Sequence, residues 1–199
     1  MIRHRGRAAS ASCHCAHAAR WAGQRAAAEP GRWAGVRNTQ RSEPISTGSD
    51  GRAEAASDRE IVTTRVFDAP RERMFGAFSD PDRLARWWGP TGFTNTFQEF
   101  DLQPQGVWRF VMHSPDGTDY TNESVFIEVE RPERIVFRHL KPMHRFLVTV
   151  LFAEEGGKTR LTWRMLFEST AECDRVRAFA GAANEQNFDR LEAQLAEMA

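Results

Sequence analysis

Residues 146–167 have the sequence FLVTVLFAEEGGKTRLTWRMLF, in which apolar and polar side chains alternate on both sides of a Gly-Gly pair. The apolar positions of the two runs are Phe146, Val148, Val150 and Phe152, and then Leu161, Trp163, Met165 and Phe167. Alternation with a period of two predicts strands that bury one face. Because the connection is short, the two strands must be antiparallel neighbours. The stretch therefore predicts a hairpin within an antiparallel sheet.

The same alternation extends upstream to Gly92. It predicts strands near residues 93–101, 106–113, 119–129, 134–140, 144–153 and 159–168, and a β-branched run predicts an earlier strand over 59–67. Between the first strand and the others, Asp68 with Pro70 and Asp80 with Pro81 form two cap-then-proline signals. Such signals predict two short helices that begin at these positions.

A long helix is predicted from Thr170 to the end of the chain. Its apolar stripe is predicted to contain Val176, Phe179, Ala183, Asn187, Leu191 and Leu195, at helical spacing. The buried face of the sheet is the surface that this stripe is expected to cover, which makes the domain an α+β fold. The small residues 180–183 lie in the middle of the helix, and they predict space for an apolar ligand cavity between helix and sheet.

The composition restricts the classes of protein. Hydrophobic residues make up 41% of the chain and aromatic residues 11%, which is enough for a sizeable core, and the formal net charge is zero. A neutral chain has no general attraction to nucleic acid or anionic membranes, and no apolar run reaches the ~18 residues that a membrane span needs. The three cysteines are too few for a disulfide framework. We therefore expect a cytoplasmic protein with no nucleic-acid or membrane partner, and a homodimer stays open.

The first 57 residues differ from the rest of the chain. They contain nine Arg and four acidic residues, a net charge of +5, so residues 58–199 carry −5. An Ala/Arg-rich segment with no Phe or Leu predicts disorder. An organelle transit peptide or an over-extended translation start would have this composition, and we favour the latter. Cys13, Cys15 and the nearby histidines lack the second ligand pair of a structural zinc site, so no metal site is predicted.

Five segments resemble the START-like superfamily, which is also called SRPBCC or the helix-grip fold. They are Arg86-Trp87-Trp88-Gly89-Pro90, Gln105-Gly106-Val107-Trp108-Arg109-Phe110, Asp116-Gly117-Thr118-Asp119-Tyr120, Arg131-Pro132-Glu133-Arg134-Ile135-Val136-Phe137 and Thr159-Arg160-Leu161-Thr162-Trp163. More narrowly, residues 58–199 resemble the branch related to the C-terminal domain of the activator of heat-shock protein 90 ATPase, often called polyketide-cyclase-like. The resemblance implies a curved antiparallel sheet of about seven strands, with a long C-terminal helix over an apolar cavity.

Relatives of this superfamily bind lipids, plant hormones or polyketides, and some are aromatase/cyclases or resistance proteins that sequester a natural product. The eukaryotic activator engages its chaperone through a separate N-terminal domain, which residues 1–57 do not resemble. Three functions stay open: binding of a small hydrophobic, aromatic or polyketide-like molecule, a cyclase-like enzyme, and a co-chaperone-type interaction domain. The apolar inner face favours binding. No cofactor is expected and no catalytic residue is assigned.

The candidate residues for the cavity are those predicted to face the inside. They are Trp88, Trp108, Phe110, Met112, Tyr120, Asn122, Ser124, Phe137, His139, Val148, Trp163, Phe179 and Ala183. If the protein is an enzyme, Tyr120, Asn122 and His139 are the groups that could act on a substrate. The alternatives are a structural histidine at 139 and cross-strand hydrogen bonding by Asn122 and Ser124. Of the adjacent pair at 87 and 88, one Trp is expected to fill the core and the other to line the pocket mouth.

Overall fold

Residues 58–199 are described by the computed structural model, and they contain seven strands and three helices. The elements are β1 (Glu60–Phe67), α1 (Arg71–Ser79), α2 (Pro81–Trp87), β2 (Thr94–Phe100), β3 (Val107–His113), β4 (Asp119–Glu130), β5 (Arg134–Lys141), β6 (Phe146–Glu155), β7 (Lys158–Phe167) and α3 (Thr170–Glu197). The predicted disorder and the cysteine–histidine motif of residues 1–57 lie outside these described residues.

The strands form one antiparallel sheet with the order β1-β7-β6-β5-β4-β3-β2. In the β6–β7 hairpin, Val150 pairs with Trp163 and Phe146 pairs with Phe167. The turn uses Gly156 at φ 57° and Gly157 at φ 83°, a region that glycine enters without steric cost. This confirms the predicted α+β class, the antiparallel sheet and the hairpin.

The two short helices begin at proline-containing signals, but only one uses the predicted cap. Asp80 caps α2, since its Oδ1 accepts hydrogen bonds from the backbone N of Asp82 at 3.0 Å and of Arg83 at 3.2 Å. Helix α1 has Pro70 at its N-cap position and no side-chain cap. The prediction of Asp68 as a cap is therefore wrong, because that residue lies two positions before the N-cap and cannot reach the first free N–H groups.

Helix α3 packs against β1, β7 and both short helices. Its buried residues are Cys173, Val176, Ala180, Asn184, Phe188, Leu191, Gln194 and Leu195. The predicted stripe is correct at both ends and wrong in the middle, where Ala183 and Asn187 were expected and Asn184 and Phe188 are buried instead. Asn184 donates a hydrogen bond from Nδ2 to Thr63 Oγ1 at 3.0 Å, which satisfies a polar group in contact with the sheet.

The run of small residues in the middle of α3 is mostly not buried, contrary to the prediction that it lies over the sheet. Ala180 is buried against the sheet, whereas Gly181 and Ala182 are exposed and Ala183 is only half-buried. Successive helical residues point about 100° apart, so most of this run faces away from the sheet.

None of the helices in the described part of the chain is long and apolar enough to cross a membrane.

Candidate ligand site on the concave face

Five aromatic side chains meet on the concave face of the sheet. We call them the inner aromatic cluster: Trp88, Trp108, Phe110, Phe137 and Trp163. Four come from strands β3, β5 and β7, where alternation turns them to the inside. The fifth, Trp88, comes from the loop after α2, and its ring centroid lies 4.7 Å from Trp108 and 5.4 Å from Trp163. The structure thus brings together five of the residues that the sequence predicted for the site.

The inner aromatic cluster fills the space that the sequence predicts as a cavity. A void of about 10 Å³ lies between Trp88, Trp108, Phe126, Phe137 and neighbouring side chains. That volume is about what one water molecule needs, whereas small-molecule sites have volumes of roughly 300–1,000 Å³. In this conformation a ligand must therefore displace a side chain in order to enter.

Four polar side chains form a second zone beside the inner aromatic cluster. This polar strip consists of Tyr120, Asn122 and Ser124 on β4 and His139 on β5, where Ser124 and His139 are register partners. The Ser124 Oγ lies 3.4 Å from His139 Nδ1, and Asn122 donates from Nδ2 to the Tyr120 carbonyl at 2.8 Å. The Tyr120 hydroxyl is buried and has no hydrogen-bond partner in the described structure. A free hydroxyl has one donor and two acceptor positions, and those of Tyr120 are not used by the described residues.

The two ionisable groups of the polar strip are held neutral. Burial lowers the pKa of His139 to about 4, with a smaller electrostatic contribution from the neighbouring His144. Its ring stacks on Phe146 with centroids 4.6 Å apart. Burial also raises the pKa of Tyr120, and the charge of Asp116 adds to this shift. Near neutral pH the strip therefore offers hydrogen bonds without charge.

The buried tryptophans differ in how their indole N–H groups are satisfied. Trp87 fills the core under the short helices and donates from Nε1 to the Ala77 carbonyl at 2.9 Å. The Nε1 atoms of Trp108 and Trp163 are buried too, but neither has an acceptor among the residues that the structure describes. The expectation that one Trp of the 87–88 pair fills the core is met by Trp87, while Trp88 is half-buried in the inner aromatic cluster.

Sequence reasoning missed Arg190, which holds the Trp88 loop from α3. Its Nη1 donates to the carbonyls of Trp88 at 3.4 Å, Gly89 at 2.7 Å and Pro90 at 3.0 Å, and its Nη2 donates to the Arg86 carbonyl at 2.5 Å. Desolvation lowers the pKa of this guanidinium. No motif reveals this contact, because a lone Arg on a helix is usually a solvated residue. Only the packing of α3 against the end of α2 brings the two segments together.

The other predicted site residues lie at varied depths. Val148 is fully buried in the core, and Phe179 and Ala183 are half-buried on α3. Met112 is half-buried beside the Trp88 loop. Its Cε lies so close to Gly89 that a side chain at position 89 would have its Cβ only 3.2 Å away. Residues 58–199 contain no group of three or more side chains that could hold a metal ion.

An antiparallel sheet that curves around a long C-terminal helix defines the helix-grip class of α+β domains. Residues 68–196 match the family described as "Activator of Hsp90 ATPase homolog 1-like protein", and the chain belongs to this family. This family is, in general, one of ligand-binding domains.

Solved structures show the same fold at low sequence identity. A crystal structure of a protein from Rhodobacter sphaeroides has 24% identity and a TM-score of 0.67, over 73% of this chain and 97% of that one. A solution structure from Arthrobacter aurescens has 24% identity and a TM-score of 0.66, over 70% and 87%. An AHSA1 protein from Silicibacter pomeroyi has 21% identity and a TM-score of 0.58, over 70% and 99%. No curated protein matches the chain.

Proposed function

We propose that the protein binds a small, largely apolar ring-containing molecule on the concave face of its sheet. The observation that carries the proposal is the junction of two zones, an aromatic surface and a short polar strip with an unsatisfied hydroxyl at Tyr120. Ligand sites in proteins are mostly apolar and contain a few convergent polar groups that orient the ligand. The inner aromatic cluster would supply the apolar contact and the polar strip the orientation.

A cyclase-like enzyme is less well supported by the same side chains. General base catalysis works best when the pKa of the base lies near the working pH. The pKa of His139 is about 4, so this residue is a poor proton acceptor at neutral pH. Ser124 and Asn122, its neighbours in the polar strip, do not ionise in this range.

A co-chaperone role would need a contiguous exposed apolar patch. The large apolar side chains that are exposed in the described structure are Val62, Val66, Ile127 and Met143. Val62 and Val66 lie on the edge strand β1, Ile127 on β4 and Met143 in the loop between β5 and β6. These four side chains are separated across the sheet and do not form one contiguous apolar patch. Their separation favours the binding function over a protein-docking function.

Native mass spectrometry of freshly purified full-length protein tests the proposal. We expect a co-purified small molecule, or saturable binding of an environment-sensitive hydrophobic dye. Phe137→Leu, in the inner aromatic cluster, should change dye affinity, whereas Val136→Ala should not. Val136 is the matched control because it is a buried neighbour on the same strand, 8% exposed, whose side chain points to the other face. A folded protein with neither ligand nor dye binding would contradict the proposal, and so would equal effects of the two substitutions.

A further inference from the structure

The ring of Trp88 contacts the whole inner aromatic cluster, although it belongs to a loop. Its centroid lies 4.7 Å from Trp108, 5.4 Å from Trp163, 6.3 Å from Phe137 and 6.4 Å from Phe110. Unlike the other four rings it is not fixed by a strand, and it keeps partial exposure to solvent. Of the five rings, Trp88 is therefore the one that can leave the cluster without disturbing the sheet.

The loop that carries Trp88 is held by polar contacts rather than by apolar packing of its backbone. Gly89 and Gly92 adopt φ values of 98° and 86°, a conformation that other residues rarely adopt. The Gln186 side chain accepts a hydrogen bond from the Thr91 N at 3.1 Å. Arg190 donates to four backbone carbonyls of the same segment, those of Arg86, Trp88, Gly89 and Pro90. The backbone can stay attached to α3 while the side chain of Trp88 rotates.

The two indoles in closest contact with Trp88 carry hydrogen-bond donors that have no acceptor. Trp108 is 2% exposed and Trp163 is 6% exposed, and the Nε1 of each is buried without a partner in the described structure. An indole N–H can only donate, and buried donors are normally satisfied. Trp87 follows that rule through the Ala77 carbonyl. The groups that the N–H donors of Trp108 and Trp163 lack are therefore acceptors.

We propose that Trp88 is a displaceable plug of the ligand site, and that the ligand is a flat aromatic molecule with oxygen acceptors, such as ring ketones. The plug and the ligand occupy the same place, and the oxygens accept from the N–H groups of Trp108 and Trp163. This inference rests on the proposed binding function and specifies its ligand class. An apolar cavity of about 150 Å³ is known to bind benzene. An indole is larger than benzene, so removing it opens room for a bicyclic ring.

The test compares indane with 1-indanone, two bicyclic probes that differ by one carbonyl oxygen. Calorimetric titration of the full-length Trp88→Ala variant should show 1-indanone bound about tenfold more tightly than indane, the effect of roughly one hydrogen bond. Wild-type protein should bind both probes at least about tenfold more weakly, because the plug competes. Adding Trp108→Phe and Trp163→Phe together should reduce the affinity for 1-indanone to that for indane, because the rings remain and the donors are lost.

Nuclear magnetic resonance gives an independent measurement on the ¹⁵N-labelled wild-type protein. At high 1-indanone concentration the indole N–H signal of Trp108 or Trp163 should move downfield, and indane should not produce this shift. Trp87→Phe is the control, since it removes an indole N–H that already has an acceptor and should leave the preference between probes unchanged. If Trp88→Ala does not fold, as judged by near-ultraviolet circular dichroism, Trp88→Leu replaces it in the titrations.

The outcomes separate this inference from the proposed function. Equal affinities for indane and 1-indanone would overturn the acceptor class while leaving the binding function in place. Wild-type affinities equal to those of Trp88→Ala would overturn the plug. If the dye binds as the proposed function requires, but the folded variant binds neither probe, the whole of this inference fails alone. If dye binding and a co-purified molecule are absent as well, the proposed function itself is wrong.

Discussion

Replacing Arg190 by Met should weaken the closed state of the Trp88 loop. The guanidinium donates to four backbone carbonyls of residues 86–90 at distances of 2.5 to 3.4 Å. These carbonyls belong to the end of α2 and the following loop, where no further helical N–H is available to them. Met keeps most of the apolar stem of Arg190 and removes only the donors and the charge.

The expected loss of stability follows from these contacts. A hydrogen bond from a charged donor contributes about 1.5–3 kcal/mol when buried. The site is half-buried, so water can replace part of each bond after the substitution, and we expect a total loss of about 2–3 kcal/mol. For a domain of this size, that loss lowers the unfolding temperature by roughly 5–10 °C. Arg190→Lys should give an intermediate loss, because one ammonium group cannot span the carbonyls as the planar fork does.

The assay is thermal and urea unfolding of both variants beside Arg86→Met. Arg86 is the matched control, since its side chain is 66% exposed and its guanidinium lies 3.9 Å from Glu197. Exposed pairs of this kind contribute about 0–1 kcal/mol. If Arg190→Met lost no more stability than Arg86→Met, the guanidinium would not be holding the loop, and this reasoning would be refuted.

Three further predictions concern the polar strip, the inner aromatic cluster and the first 57 residues. The pKa of His139 falls from 6.5 to about 4 on folding, so its contribution to stability is full above pH 6.5 and is lost as the pH falls toward 4. Between pH 7 and pH 4.5 the free energy of unfolding, measured with urea, should fall by up to about 2 kcal/mol less in His139→Phe than in the wild-type protein. An equal fall in both proteins would contradict the assignment. Trp163→Ala should cost ~3–5 kcal/mol, while Thr162→Ala, on the outer face, should stay within ~0.5 kcal/mol, and similar losses would mean that the faces are reversed. A chain that begins at Asp58 should unfold at the same temperature as the full chain, and a clear decrease would show that residues 1–57 contribute to stability.

The strands could be predicted from the sequence because their physical signal is local. Alternation of apolar side chains over 146–167 specifies both the strands and their buried face. The Gly156–Gly157 pair specifies an antiparallel connection, and the register of Val150 with Trp163 agrees with it. The cap at Asp80 is equally local, since it needs only the N–H groups two and three residues ahead.

The site could be predicted only in part because its shape depends on non-local contacts. Asn184 is buried through a hydrogen bond to Thr63, 121 positions away in the sequence, so its polar character misled the assignment of the α3 stripe. The small side chains near Ala183 suggested open space. Alternation and helical spacing, however, show which way a side chain points and not how much space the neighbouring side chains leave. That Trp88 fills the site becomes visible only when the loop after α2 is placed over the sheet.

The pairing of β1 with β7 has a consequence for synthesis of the protein. Glu60 is the register partner of Leu166, and Phe67 is the register partner of Thr159. Strand β1 therefore cannot pair until β7 has left the ribosome. Until then β1 and the edge of β6 that later pairs with β7 have no partner strand, and contacts of such long sequence separation form slowly. Nascent chains that stall before residue 158 would expose β1 to proteases and to strand-by-strand aggregation.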